Sequence, residues 1–257
     1  MGKLLITAVV FTFALAIAFG GYYLHYKLKI QTCMEEHSPA AIEACTYLLS
    51  HYDEPGKKAV FLANRGLIHD KAGSKAEALA DLKAVHELQR AGRANLARAE
   101  MLAIYERMAA LGAGLGDTAA AMDYGDMAVS LGSINPHLEL FLAEAKIKAG
   151  RYAEGMNHLT GAQALGILEI SESAQARFYY ANGRACLGTG DYDQAIKYLS
   201  QAEPLMARSF DRGELEITLG RAFFKARRHE EAKLRLQSGL RHGGACPDCP
   251  SMLAKIK

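Results

Sequence analysis

Residues Gly183 to Ala202 read GRACLGTGDYDQAIKYLSQA, and this stretch decides the fold because its small residues recur at a fixed spacing elsewhere in the chain. Small residues follow Gly183 after twelve positions, at Ala195, and after nineteen, at Ala202. Four further stretches repeat this register: Gly66, Ala78 and Val85; Ala109, Ala121 and Ala128; Ala143, Gly155 and Ala162; Gly220, Ala232 and Gly239. Small side chains at these places let two antiparallel helices approach closely. The sequence therefore predicts an array of helical repeats.

A turn is predicted seven residues after the start of each repeat. Four of the five repeats have glycine there, which can end a helix in the left-handed conformation. The five residues are Gly73, Gly116, Gly150, Gly190 and Arg227. The next residue can cap a second helix, and Ser74 with Glu77 and Asp191 with Gln194 have capping-box or similar spacing. Each unit is therefore predicted to be helix, turn, helix.

The stretch from Gly183 to Ala202 resembles a tetratricopeptide repeat, and RGLIHDKAGSKAEALADLKAV and LGRAFFKARRHEEAKLRL resemble weaker copies. The resemblance covers about residues 59–245. It implies an all-α solenoid of about five helix-turn-helix units that binds partner proteins on a concave face lined by the first helix of each unit. The chain departs from the family pattern because it contains no Trp and its units lie 34 to 43 residues apart. An irregular superhelix is therefore expected.

The first thirty residues contain an apolar run from Leu4 to Gly21 without any charge, followed by an aromatic stretch and Lys27. Such a run is typical of a helix that spans a bilayer. We therefore predict a single-pass membrane anchor over residues 4–24, with the rest of the chain on the exterior or periplasmic side. A cleavable signal peptide is the alternative, because Ala14, Ala16 and Ala18 offer small residues for cleavage.

A degenerate first repeat is predicted between the apolar run and the first clear unit. Ala41, Cys45 and Leu48 have the spacing of a second helix, which Ser38 would cap and Pro39 would begin. The predicted organisation is an anchor and juxtamembrane stalk over 1–30, the degenerate repeat over 31–58, the solenoid over 59–245, and a C-terminal Cys-Pro-Asp-Cys tail over 246–257.

Composition and motifs argue against several functions. Half of the 257 residues are hydrophobic, so the chain can bury a core, and the net charge of +2 is too small to indicate nucleic-acid binding. The sequence contains no G-x-S-x-G, Walker-type loop, H-E-x-x-H or dinucleotide fingerprint. We therefore predict no catalytic residues, no enzyme activity and no cofactor.

The five cysteines allow two pairs. Cys246 and Cys249 could ligate a metal with His242, but a structural zinc site needs four ligands and no second Cys-x-x-Cys exists. The alternatives are a redox role or a disulfide that stiffens the tail. Cys33 and Cys45 would lie on adjacent helices and could also form a disulfide. We expect the fifth, Cys186, to be a buried thiol.

Basic side chains recur on the first helices of several units. Arg177, Tyr180 and Arg184 share one helix face, and Arg221 and Lys225 occupy the matching place on the next first helix. Asn64, Lys71 and Lys148 could extend this groove, whose natural ligand would be an acidic protein segment. An ordinary solvated face is an equally good interpretation of the sequence. The full carboxylate clamp of chaperone-binding family members is not present.

These observations favour a membrane-anchored, noncatalytic scaffold that holds partner proteins in an envelope assembly or maturation complex. One alternative is a redox or metal-handling accessory that uses Cys246 and Cys249. Another is a fixed structural subunit of a larger membrane complex.

Overall fold

The computed structural model describes residues 23–35, 38–206 and 212–256, and these residues form helices connected by turns without any strand. The first helix, α1, covers 23–35 as far as it is described. The others are α2 Pro39–His51, α3 Pro55–Lys71, α4 Lys75–Arg90, α5 Arg98–Gly114, α6 Thr118–Ser130, α7 Pro136–Lys148, α8 Tyr152–Ala164, α9 Glu172–Thr189, α10 Tyr192–Met206, α11 Arg212–Lys225, α12 His229–Arg241 and α13 Cys249–Lys255. A short 3-10 turn, Ile167–Glu169, lies between α8 and α9.

The helices pack as consecutive hairpins: α3 on α4, α5 on α6, α7 on α8, α9 on α10 and α11 on α12. This repeated helix-turn-helix arrangement confirms the predicted all-helical fold. The turn residue of every hairpin is left-handed, with φ of 82°, 79°, 77° and 89° at the four predicted glycines and 62° at Arg227. Asp191 caps α10 through the amide of Gln194 at 3.2 Å, whereas the Ser74 side chain makes no cap hydrogen bond.

Close helix contacts occur where the small-residue register predicts them. A Cβ atom added at Gly183 would lie 2.5 Å from Leu199 Cγ, and one added at Gly220 would lie 2.6 Å from Leu236 Cδ2. Both leucines are fully buried sixteen residues after the glycine that they contact. The small residues are therefore needed because the partner helix fills the space that a side chain would take.

The chain divides into two compact units, and the boundary falls after Leu131. The first unit contains α1 to α6, and its largest fully buried side chains are Leu48, Leu82 and Met108. The second unit contains α7 to α13, with a core that includes Leu199, Leu219 and the buried free thiol of Cys186.

A disulfide joins α1 to α2 at the start of the first unit. Cys33 and Cys45 are both buried, and their Cα atoms lie 4.9 Å apart. Pro39 begins α2, and the Ser38 hydroxyl accepts a hydrogen bond from the Ala41 amide at 3.4 Å. The two helices also meet through Tyr26 of α1, whose ring centroid is 5.8 Å from that of Tyr47.

The prediction of a single-pass membrane protein is contradicted. Within residues 23–35, 38–206 and 212–256, no helix has both the length and the apolar character needed to cross a membrane. Residues 4–22 of the predicted span lie outside the described part of the chain.

Candidate protein-binding cleft

A cleft of about 680 Å³ lies in the second unit, on the side formed by α7, α9 and α11. Its basic residues are Lys148 at the end of α7, Arg184 of α9, and Arg221 and Lys225 of α11. We call this the cationic cleft. These helices are the first helices of their hairpins, and residues four positions apart on such a helix share one face. Arg221 and Lys225 therefore share one face of α11, and the packing of α7, α9 and α11 adds Lys148 and Arg184 to the same surface.

A neighbouring cavity of about 670 Å³ shares Lys148 and Arg184 with the cationic cleft. It extends along α9 to Arg177 and Tyr180. The structure thus brings together six of the eight residues predicted to form the groove. Asn64 and Lys71 lie on α3 of the first unit and line neither cavity.

Arg177 is already paired within the protein. Its Nε donates to Glu144 Oε1 at 2.9 Å, and Nη2 donates to Glu144 Oε2 at 2.5 Å. The hydrogen bonds to this carboxylate raise the pKa of Arg177 above its usual value. This arginine therefore contributes a neutralised ion pair to the cavity, rather than a free positive charge.

Tyr180 provides a neutral aromatic surface in the neighbouring cavity. Its hydroxyl lies 3.2 Å from Thr218 Oγ1, and the guanidinium carbon of Arg184 lies 5.8 Å from its ring centroid. Burial raises the pKa of Tyr180 to about 12, because the ionised phenolate would be poorly solvated there. The aromatic face helps to hold Arg184 by a cation–π interaction.

Arg221 is also paired, with Asp248 in the turn before α13. Its Nη2 donates to Asp248 Oδ1 at 2.5 Å, and its Nε donates to Oδ2 at 3.3 Å. The hydrogen bonds from Arg221 hold the pKa of Asp248 below its usual value. One wall of the cationic cleft therefore already binds a carboxylate from the protein itself.

The remaining three cations have no carboxylate partner within salt-bridge distance in the part of the chain that the structure describes. Lys148 and Lys225 are exposed, and Arg184 is half-buried. Glu214 lines the same cleft and is an acidic residue that the sequence did not single out. Three unpaired cations around one cleft can bind carboxylates, and the planar guanidinium of Arg184 can bind one through two hydrogen bonds.

The C-terminal cysteines do not form a metal site. Cys246 and Cys249 are joined by a disulfide, with Cα atoms 5.3 Å apart, so neither offers a thiolate ligand. His242 Nδ1 lies 2.8 Å from the Ser238 carbonyl oxygen. Across residues 23–35, 38–206 and 212–256, no group of three or more His, Cys, Asp or Glu side chains could hold a metal ion.

Sequence reasoning missed the carboxylates that neutralise part of the groove. Glu144 lies four residues before Lys148 on α7, so helical spacing could have placed it on the same face. Asp248 gave no such signal, because it belongs to a turn 27 residues after Arg221. Its pairing depends on how the tail folds back onto α11.

Solved structures share this fold at low sequence identity. MamA from Desulfovibrio magneticus RS-1 is 20% identical, with a TM-score of 0.52 over 73% of this chain and 96% of that one. BtubC from P. vanneervenii is 17% identical, with a TM-score of 0.51 over 80% of this chain and 89% of that one. A chain in the crystal structure of the APC/C hetero-tetramer Cut9–Hcn1 is 16% identical, with a TM-score of 0.52 over 90% of this chain and 42% of that one.

These neighbours are tetratricopeptide-repeat proteins, so the likeness shows the fold. No protein-family model matches the sequence, and no curated protein matches it either.

Proposed function

We propose that this protein is a noncatalytic interaction scaffold whose cationic cleft binds an acidic segment of a partner protein. The observation that carries the proposal is the grouping of Lys148, Arg184 and Lys225, unpaired among the described residues, around a cleft of about 680 Å³. A segment with several Asp or Glu residues would satisfy these cations at once. Apolar side chains in the wall, Leu187 and Met252, would contact its intervening residues.

The shared fold supports a binding role. Tetratricopeptide solenoids present an extended concave surface, and this surface is suited to an extended or helical peptide. One of the neighbours belongs to a hetero-tetramer, Cut9–Hcn1. We propose by analogy that this chain also acts by holding another protein, and that it needs no cofactor to do so.

The proposal is tested with a short fluorescent peptide of alternating glutamate and leucine. Arg184→Glu combined with Lys225→Glu should weaken binding at least about tenfold, because two attractive charges become repulsive. Added salt should also weaken peptide binding by the wild type, because it screens the attraction between the cations and the glutamates. Exposed Lys233 of α12 does not line the cleft, so Lys233→Glu is the matched control and should bind like wild type.

Equal affinity of the wild type and the double reversal, at both low and moderate salt, would remove the cationic cleft from the proposal. Far-ultraviolet circular dichroism of the variants checks that their helical content is unchanged.

Two alternatives make different predictions. A fixed structural subunit should copurify with its complex in constant stoichiometry, whereas a reusable scaffold should lose its partner on dilution. A redox accessory is favoured by one observation, the disulfide between half-buried Cys246 and buried Cys249. It predicts that, with an oxidant supplied to re-form the disulfide, the protein oxidises an added dithiol over many turnovers, and that Cys246→Ser abolishes this activity.

A further inference from the structure

The C-terminal segment forms one wall of the cationic cleft. We call residues 246–256 the C-terminal clip. Asp248 and Met252 of this clip line the cleft beside Lys225. The Asp248 carboxylate lies against Arg221 in the way that a carboxylate of an acidic partner would be expected to lie.

The clip is attached to α11 and α12 by apolar packing. Cys249 is fully buried and Met252 nearly so, and both pack with Ile217 and Leu236. Asp248, by contrast, remains about half exposed, with its carboxylate at the surface. The anchoring and the acidic contact therefore use different side chains, and the acidic contact can change while the anchor stays in place.

The disulfide restricts the turn that carries Asp248. Cys246 and Cys249 close a ring that contains only Pro247 and Asp248 between them. Within this ring, Cys246 Sγ lies 3.3 Å from Asp248 Oδ1 and 3.8 Å from Arg221 Nη2. The closed ring limits the conformations of Asp248 and favours its contact with Arg221.

We infer that the C-terminal clip is a built-in competitor for the acidic partner segment, and that the Cys246–Cys249 disulfide controls how strongly it competes. This inference rests on the proposed function of the cationic cleft. With the disulfide closed, Asp248 occupies Arg221, and a partner finds three available cations. With the disulfide open, Asp248 moves more freely, and a partner carboxylate displaces it to bind all four.

The opening step is a thiol–disulfide exchange. A thiolate of an external dithiol attacks Cys246 Sγ, which is half-buried, whereas Cys249 is inaccessible. The S–S bond breaks, and Cys249 leaves as a thiolate that takes up a proton. The second thiol of the reductant then displaces Cys246, which also gains a proton. The clip has accepted two electrons and two protons, and the dithiol has become a disulfide.

The first test measures binding of the glutamate–leucine peptide to Asp248→Asn under oxidising conditions. This variant should bind about fivefold more tightly than wild type, because a competing exposed ion pair of ordinary strength has been removed. Exposed Asp193 of α10 does not line the cleft, so Asp193→Asn is the matched control and should bind like wild type.

The second test measures the effect of the disulfide. Cys246→Ser opens the ring without touching the disulfide between Cys33 and Cys45, and it should also bind more tightly than wild type. Dithiothreitol should tighten binding by the wild type and leave binding by Asp248→Asn unchanged. Hydrogen exchange at residues 246–249 should become faster in Cys246→Ser while the amides of α12 keep their protection.

The outcomes separate the two proposals. If Asp248→Asn and Cys246→Ser bind like wild type, while the Arg184→Glu and Lys225→Glu reversal abolishes binding, the clip is not a competitor and the cleft remains the binding site. If Asp248→Asn or the reduced protein binds the peptide and the oxidised wild type does not, the inference is supported. If the wild type, both variants and the reduced protein all fail to bind the peptide, both the inference and the proposed function are overturned.

Discussion

Replacing Gly220 by alanine should destabilise the second unit, although alanine is the better helix former. Gly220 of α11 faces Leu236 of α12, and Leu236 is fully buried. An added Cβ would lie 2.6 Å from Leu236 Cδ2, 2.7 Å from Cγ and 3.0 Å from the backbone nitrogen. A change of the leucine rotamer cannot relieve the backbone contact, so the two helices must move apart.

The magnitude follows from two opposing effects. Overpacking of a close helix contact costs about 1–3 kcal/mol. The gain in helix propensity from Gly to Ala offsets about 1 kcal/mol of this cost. Gly56 of α3 gives a matched control, because an added Cβ there meets no atom within 4 Å. Gly220→Ala should therefore be less stable than Gly56→Ala by about 1–2 kcal/mol, because Gly56 lies in the first turn of α3 and gains less helix propensity than an interior position.

Urea unfolding followed by circular dichroism gives the overall shift, and hydrogen exchange at α11 and α12 reports the local effect, because repeat proteins can unfold in parts. Leu236→Ala provides the second half of a double-mutant cycle. Gly220→Ala should cost less in the Leu236→Ala background than in the wild type, since the added methyl group then enters the vacated space. Equal costs in both backgrounds, or equal stability of Gly220→Ala and Gly56→Ala, would refute the predicted helix contact.

Three further predictions concern the turns, the core and pH. Arg227→Gly should stabilise the protein by about 0.5–1 kcal/mol in urea unfolding, because arginine at this turn has a φ of 62° that glycine adopts without strain. Ala195→Leu should lower the free energy of unfolding by about 1–3 kcal/mol in the same assay, because Ala195 is fully buried. Lys197→Leu, at an exposed position, should change the free energy of unfolding little. Burial raises the pKa of Tyr180 from 10.0 to about 12, so the folded state favours the neutral phenol. The free energy of unfolding should therefore fall as pH rises from about 10 to about 12, and Tyr180→Phe should lose less stability over that range.

The helices and turns were predictable because they depend on neighbours that are close in the sequence. A left-handed residue at a helix end is decided by local sterics, so glycines seven residues after each repeat start identified four turns. Arg227 shows that the repeat register can impose the same conformation on another residue. Ser74 shows the limit of such reasoning, because capping-box spacing did not produce a cap hydrogen bond.

The charge state of the groove was not predictable in the same way. Helical spacing placed Arg177, Arg184 and Arg221 on the first helices, but it could not show which of them were already neutralised. Glu144 is 33 residues from Arg177, and Asp248 is 27 residues from Arg221. Such pairs form only when the hairpins stack and the tail folds back, so they are properties of the tertiary structure.

The second unit uses different charges for stability and for its proposed binding role. Arg235 of α12 contacts Glu203 Oε1 at 2.6 Å and buried Glu216 Oε2 at 3.0 Å. Removing Arg235 would leave buried Glu216 with only the more distant Arg212, whose Nε lies 4.0 Å from Glu216 Oε1, and such a poorly paired buried carboxylate is unfavourable. Lys148 and Lys225 are exposed and unpaired among the described residues, so reversing their charge leaves no buried group unsatisfied. Charge reversals at Lys148 and Lys225 should therefore test the proposed binding role without the loss of stability expected at Arg235.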